Sequence, residues 1–141
     1  MARADLVHLS TWTKSGSVRV VVESPKGSAV KFDYDPDLDV FVYGKALPLG
    51  LTYPYCWGFL PGTCGDDGDP LDIFVLSDAP TFPGVVIECR LVGVLRLPER
   101  LRQEMEQFFL STTFFTHKHA TVQGWKGHKA AIKLVRKSQM T

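Results

Sequence analysis

From Gly16 onward, polar and apolar residues follow one another in short runs rich in β-branched and aromatic side chains: SVRVVVES, AVKFDYD and LDVFVYG. Runs of this kind predict strands. Turn residues at Pro25-Lys26-Gly27-Ser28 and at Asp35-Pro36-Asp37 separate them, which predicts two linked hairpins. Residues 1–15 have no periodicity and predict a loose N-terminal arm. Residues 44–66 form a Pro/Gly/aromatic stretch, GKALPLGLTYPYCWGFLPGTCGD, of a length that predicts a functional segment or one carrying brief strands. LDIFVL then reads as a buried strand, and VVIECRLVGVLRL as one long strand bent at Gly93. Beyond Pro98 the period lengthens. Leu101, Met105 and Phe108 or Phe109 fall at helical spacing over 98–111, with Pro98 suited to a first turn. HATVQGW predicts a last strand, and 126–137 a short amphipathic helix through Ala130, Ala131, Leu134 and Val135. The expected fold is α+β, mainly β: a barrel-like set of antiparallel strands with two C-terminal helices in a single domain over 1–141.

Composition narrows the class. The chain has 141 residues, one domain's worth, enough to bury a core without disulfide staples. Hydrophobic residues make up 45% and charged residues 22%, which excludes a disordered tail. The net charge of +1 is spread as mixed signs, so no nucleic-acid or membrane partner is expected from bulk charge. Nothing approaches the run of about 18 apolar residues that a membrane span requires, and no charged-then-apolar leader opens the chain. Cys56, Cys64 and Cys89 are odd in number and follow no framework spacing. A soluble, reduced, cytoplasmic protein is expected. A zinc site from Cys56, Cys64, His117 and His119 matches no common spacing, and buried free thiols are the expected role of these cysteines.

Candidate chemistry is concentrated in one place. Asp66, Asp67, Asp69 and Asp72 lie close together with Gly68 and Pro70 among them. In an extended segment Asp67 and Asp69 point to one side, and the Gly-Asp-Pro turn can swing Asp72 toward them. Carboxylates this close repel unless a cation neutralises them, and all-oxygen ligands favour Mg²⁺, Mn²⁺ or Ca²⁺ over zinc. An acidic surface turn accounts for the same residues. An EF-hand does not, because Asp72 stands where that loop needs its glycine. Upstream, Lys31 and Asp33 alternate with Phe32 and Tyr34 and share a face, near Glu23 and Lys45. These residues fit either a solvated face with a cross-strand ion pair or an anion clamp opposite the carboxylates.

DGDPLDI at 67–73 resembles the Asp-x-Asp-Pro-x-Asp signature of the family I soluble inorganic pyrophosphatases. The neighbouring segments are similar in order and spacing: VVVESPKGSAVKFDYD, DVFVYGKALPLGLTYPYCWGFLPGT and PGVVIECRLVGVLRL. The resemblance covers about residues 17–97, with a weaker echo at QFF and VQGW. It implies an OB-like antiparallel β-barrel and hydrolysis of pyrophosphate to two phosphates with several Mg²⁺ ions (or Mn²⁺), in a homo-oligomer. By position it implies Asp67, Asp69 and Asp72 as metal ligands, with Asp69 helping to deprotonate the attacking water. Lys31, Lys45 and Tyr53 would meet phosphate oxygens, while Glu23 and Asp33 would support the cluster.

The sequence also departs from that pattern. Asp33 stands where the family has Glu, Lys45 where it has Arg, Cys56 where it has Asn and Trp57 where it has a second Tyr. The family's loop with two further metal-binding Asp residues has no counterpart. Glu99 and Glu104 fall on those positions and Glu106 on the following Lys. If 98–111 is helical, residues five apart diverge by about 140°, which leaves Glu99 as the one further metal ligand. Thr112 and Thr113 occupy the place of a phosphate-binding Tyr-Lys pair. Four outcomes stay open: a pyrophosphatase with reduced activity, an enzyme acting on a related phosphoanhydride, a non-catalytic phosphate- or nucleotide-binding relative, or an interaction module that keeps the barrel as scaffold.

Overall fold

The three-dimensional structure is a computed structural model that describes residues 5–95 and 125–140. Its strands are β1 (Val18–Ser24), β2 (Val30–Asp35), β3 (Val40–Ala46), β4 (Cys56–Leu60), β5 (Leu71–Val75), β6 (Val86–Cys89), β7 (Gly93–Leu95) and β8 (Trp125–Gly127), followed by a helix at His128–Lys137. An antiparallel sheet in the order β5-β4-β1-β6 is accompanied by two ribbons, β2-β3 and β7-β8. Among the described residues this is a mainly-β fold with one C-terminal helix. Among the described residues the strand ladders do not join into a closed ring. The helix expected over 98–111 lies outside those residues.

β1 explains the arrangement. Its run of valines does not alternate with polar residues because both of its faces are covered. Val18, Val20 and Val22 are fully buried together with Cys56, Leu60, Val75, Leu91 and, from the helix, Ala131 and Val135. On the opposite face, Val21 pairs with Phe59 of β4, and Phe59 pairs with Asp72 of β5. Tyr34 of β2 stacks on Phe59 at 5.8 Å between centroids. Each buried valine contributes roughly 1.5–3 kcal/mol, so the sheet is held by one strand with two apolar faces.

Four expectations change. Of the two linked hairpins expected from the first three strands, only β2-β3 forms among the described residues, because β1 pairs with β4 and β6 instead. The long strand after Pro83 is two strands: β6 pairs with β1, whereas β7 pairs with β8. The break falls at Leu91, which turns into the core. The helix starts at His128 because Lys126 and Gly127 are held in the ladder opposite Val94 and Gly93. The N-terminal arm is docked from residue 5 on, despite its lack of periodicity, and polar contacts fix it. The Thr11 hydroxyl donates to Pro61 O at 2.7 Å, and Arg19 Nη1 donates to Ser10 O and Trp12 O, each at 2.8 Å. Arg136 of the helix sits over the Trp12 ring at 5.6 Å. No helix among the described residues is long and apolar enough to cross a membrane.

The turn that enters β5 hangs on one buried hydroxyl. Thr63 Oγ1 donates to Leu60 O at 2.7 Å and accepts from Leu71 N at 3.0 Å. Thr63→Val keeps the shape and leaves a half-buried N–H without its partner, which costs about 1 kcal/mol. The expected result is a lower denaturant midpoint at unchanged slope. An unchanged midpoint would mean that Leu71 N is not held by this hydroxyl.

Candidate functional site

β1 and β2 are not joined by a backbone ladder among the described residues. Their seam is closed by side chains. The register of β1 against β4 slips between Val22 and Ser24, which makes Glu23 an extra residue. Such a bulge re-aims the side chains beside it. Glu23 Oε1 accepts from Tyr34 N at 3.0 Å, and Ser24 Oγ accepts from Phe32 N at 3.0 Å and donates to Phe32 O at 3.3 Å. A second slip lies on the other side of β2, between the pairs Lys31↔Lys45 and Phe32↔Tyr43, with Gly44 as the extra residue of β3. A Cβ on Gly44 would lie 2.5 Å from Asp33 Oδ2 and 2.9 Å from Lys31 O. Only glycine leaves room there for the Asp33 carboxylate.

These two bulges gather charge. Lys31 Nζ lies 3.4 Å from Asp33 Oδ1. Lys31 and Lys45 are directly opposite on the ladder, an arrangement of like charges that is unfavourable by itself and suited to an anion. Burial pushes the Glu23 carboxyl up from 4.5 to about 7; the Tyr34 amide opposes the rise, the charges of Asp33 and Asp72 add to it, and Lys31 opposes it. Tyr53 is 6% exposed, and burial raises its phenol, opposed by the neighbouring Ser24 hydroxyl and by Lys31. Its backbone is fixed to the first turn through Tyr53 N to Ser28 O at 3.0 Å and Gly27 N to Tyr53 O at 2.8 Å. Glu23, Lys31, Asp33, Tyr53 and Asp72 thus act on one another electrostatically, a cationic edge beside an acidic one.

Asp67 and Asp69 stand elsewhere on the same approach. They are exposed and belong to a turn, not to an extended strand. Gly65 N donates to Asp69 O at 2.7 Å, and Asp67 Oδ1 accepts from Asp69 N at 3.1 Å. Gly68 has φ 86°, which side-chain-bearing residues adopt at a cost. The alternation that would aim Asp67 and Asp69 to one side is therefore broken. Among the described residues no three acidic, His or Cys side chains converge to metal-ligating distance. Asp72 is carried by β5 to the face shared with Glu23. Glu99 lies outside the described residues.

Sequence reasoning missed Ser24 and Gly44. A lone serine ending a run of valines was the available signal for the first. A glycine within a strand pattern, which often marks a bulge, was the signal for the second. Cys64, expected to be buried, is exposed, whereas Cys56 is buried and Cys89 half-buried; all three are free.

Residues 20–100 match the family model described as inorganic pyrophosphatase. An inorganic pyrophosphatase of Thermus thermophilus is 36% identical, over 84% of this chain and 86% of that protein. One from Synechocystis is 43% identical, over 66% of this chain and 55% of that protein. The solved structure of the Thermus thermophilus inorganic pyrophosphatase superposes with a TM-score of 0.76 at 34% identity, covering 96% of this chain and 97% of that one.

The raised Glu23 pKa has a consequence for stability. The unfolded chain releases this proton near pH 4.5, and the folded chain keeps it to about pH 7. The favourable contribution is therefore complete below pH 4.5 and is lost as pH rises to about 7. It amounts to about 3 kcal/mol at about 1.4 kcal/mol per pKa unit. Chelator-treated protein should lose stability over this window in denaturant titrations, and Glu23→Gln should flatten the curve. A variant with the wild-type pH profile would assign the loss to other groups.

Proposed function

Because the chain belongs to the inorganic pyrophosphatase family, we propose that it hydrolyses inorganic pyrophosphate to two phosphates at the face shared by Glu23, Lys31, Asp33, Lys45, Tyr53 and Asp72. The observation that carries this reading is the opposed pair Lys31 and Lys45 beside an over-acidic edge. Two adjacent ammonium groups are stabilised by a polyanion, and crowded carboxylates by a hard cation. The donor set is all oxygen, the chemistry that suits magnesium, with manganese as a substitute. Asp67, Asp69, Asp72 and Glu99 are the proposed ligands. When bound, the metal would acidify water and offset the charge of pyrophosphate.

In this reading the chain's own groups divide the work. Lys31 and Lys45 bind phosphate oxygens. The buried Tyr53 phenol stays protonated at neutral pH and donates to the same anion. Water adds to one phosphorus, the bridging P–O bond breaks, and the proton lost by water passes to Asp69. Glu23 and Asp33 orient the acidic edge from behind. The reading also includes a closed OB-like barrel, a second helix over 98–111, a homo-oligomeric state and a cytoplasmic location.

Asp69→Asn keeps the volume and removes the proton acceptor, so kcat should fall by about 100-fold or more while the circular dichroism spectrum is unchanged. Undiminished turnover would remove Asp69 from the mechanism.

The wild-type chain should turn over pyrophosphate more slowly than the Thermus thermophilus relative in a side-by-side phosphate-release assay with metal titration. Lys45 lacks the bidentate fork of an arginine, and Trp57 carries no phenol. Calorimetry with a pyrophosphate analogue should count fewer bound Mg²⁺ ions. Equal turnover with an equal metal count would show that the site is rebuilt by other residues. Phosphate or nucleotide binding without hydrolysis would favour the non-catalytic reading.

A further inference from the structure

We propose that Ser24 is a positioning residue for this site: its buried hydroxyl fixes β2 at Phe32 and so sets Lys31 and Asp33, one residue to either side, against the substrate. The inference rests on the pyrophosphatase reading above and assigns a role to a residue outside the acidic signature.

Ser24 is 0% exposed. It is the last residue of β1 and ends a run that is otherwise apolar apart from Arg19 and Glu23. Its single oxygen serves both main-chain groups of Phe32, accepting from N at 3.0 Å and donating to O at 3.3 Å. A serine side chain therefore replaces a rung of backbone ladder at the point where β1 and β2 meet. Two residues along β2, Glu23 makes the matching contact to Tyr34 N. On the far side of β2 the ladder to β3 slips between Lys31 and Phe32. Phe32 is thus the residue at which the β3 ladder loses register, and the hydroxyl of Ser24 holds it from the other side. Tyr53 is a neighbour of the same hydroxyl, which links the anchor to the third anion-binding group.

A hydroxyl has one proton. With that proton committed to Phe32 O, the oxygen can accept from Phe32 N and from one further donor. Ser24→Ala removes both contacts and leaves the Phe32 amide facing an apolar strand, so β2 must shift or admit water. The displaced residues are those that carry the substrate's charge, so ground-state binding suffers first.

The test compares wild type, Ser24→Ala and Ser24→Thr for pyrophosphate hydrolysis with Mg²⁺, for calorimetric affinity toward a non-hydrolysable pyrophosphate analogue, and for amide exchange at Phe32. Ser24→Ala should raise KM and the analogue Kd by about tenfold, the effect of losing one hydrogen bond's worth of binding, with kcat within about threefold. The Phe32 amide should lose protection, and Ser24→Thr, which keeps the hydroxyl, should restore all three. Ser24→Cys keeps the shape with weaker hydrogen bonds and replaces alanine if that variant does not fold. In a Lys31→Gln background, Ser24→Ala should add little further rise in KM, since the two act through one contact. A fall in kcat at constant KM, or additive effects in the double variant, would make Ser24 a structural residue and overturn the proposal. A wild-type chain that hydrolyses no pyrophosphate would instead overturn the functional reading on which the proposal rests.

Discussion

The seam between β1 and β2 is the constraint on which the site depends. β1 lies inside the sheet and uses its backbone on both neighbours, β4 and β6. It has no ladder left for β2, yet the β2-β3 ribbon must sit over its second face to cover Val21 and Phe59. The solution is chemical: Glu23 and Ser24 extend polar side chains across the gap and bond the β2 main chain. Buried amides need partners, so the two residues that close the fold are held in the same place as the groups that carry the chemistry.

That arrangement also accounts for the charge distribution. A carboxyl that must bond a buried amide cannot retreat to water, and Glu23 is left beside Asp33 and Asp72 in partial isolation from solvent. Lys31 leans toward Asp33 at 3.4 Å, while Lys45 is opposite Lys31 across the ladder. The site is therefore unbalanced in both signs at short range. Such imbalance costs stability in the empty protein and becomes favourable when oppositely charged ligands arrive together.

Much of this was legible in the sequence. The first three strands, the LDIFVL strand and the C-terminal helix follow from periodicity, and Lys31 with Asp33 on one face follows from alternation. The splitting of VVIECRLVGVLRL was not legible, because a run of β-branched residues reads alike whether it serves one sheet or two. Nor was the orientation of Asp67 and Asp69: the spacing rule presumes an extended chain, and Gly68 at φ 86° ends the extension. The docked N-terminal arm was hidden for another reason. Its order comes from hydroxyl, guanidinium and main-chain contacts to distant residues, which leave no period in the residues themselves.

The turn around Gly62 and Cys64 has ties at both extremes of the described chain. Gly62 N donates to Val7 O at 2.7 Å, Met140 N donates to Gly62 O at 2.9 Å, and Cys64 N donates to Ser138 O at 2.7 Å. The segment that leads into the acidic signature is thus clasped by residues far from it in the sequence on both sides. Contacts of such separation form late, because the entropy of closing long loops must be met first. On a ribosome, which releases the chain from its N-terminus, the strands of the sheet can assemble while this turn still lacks its clasp. The order of the acidic approach to the site is thereby coupled to the docking of the C-terminal helix.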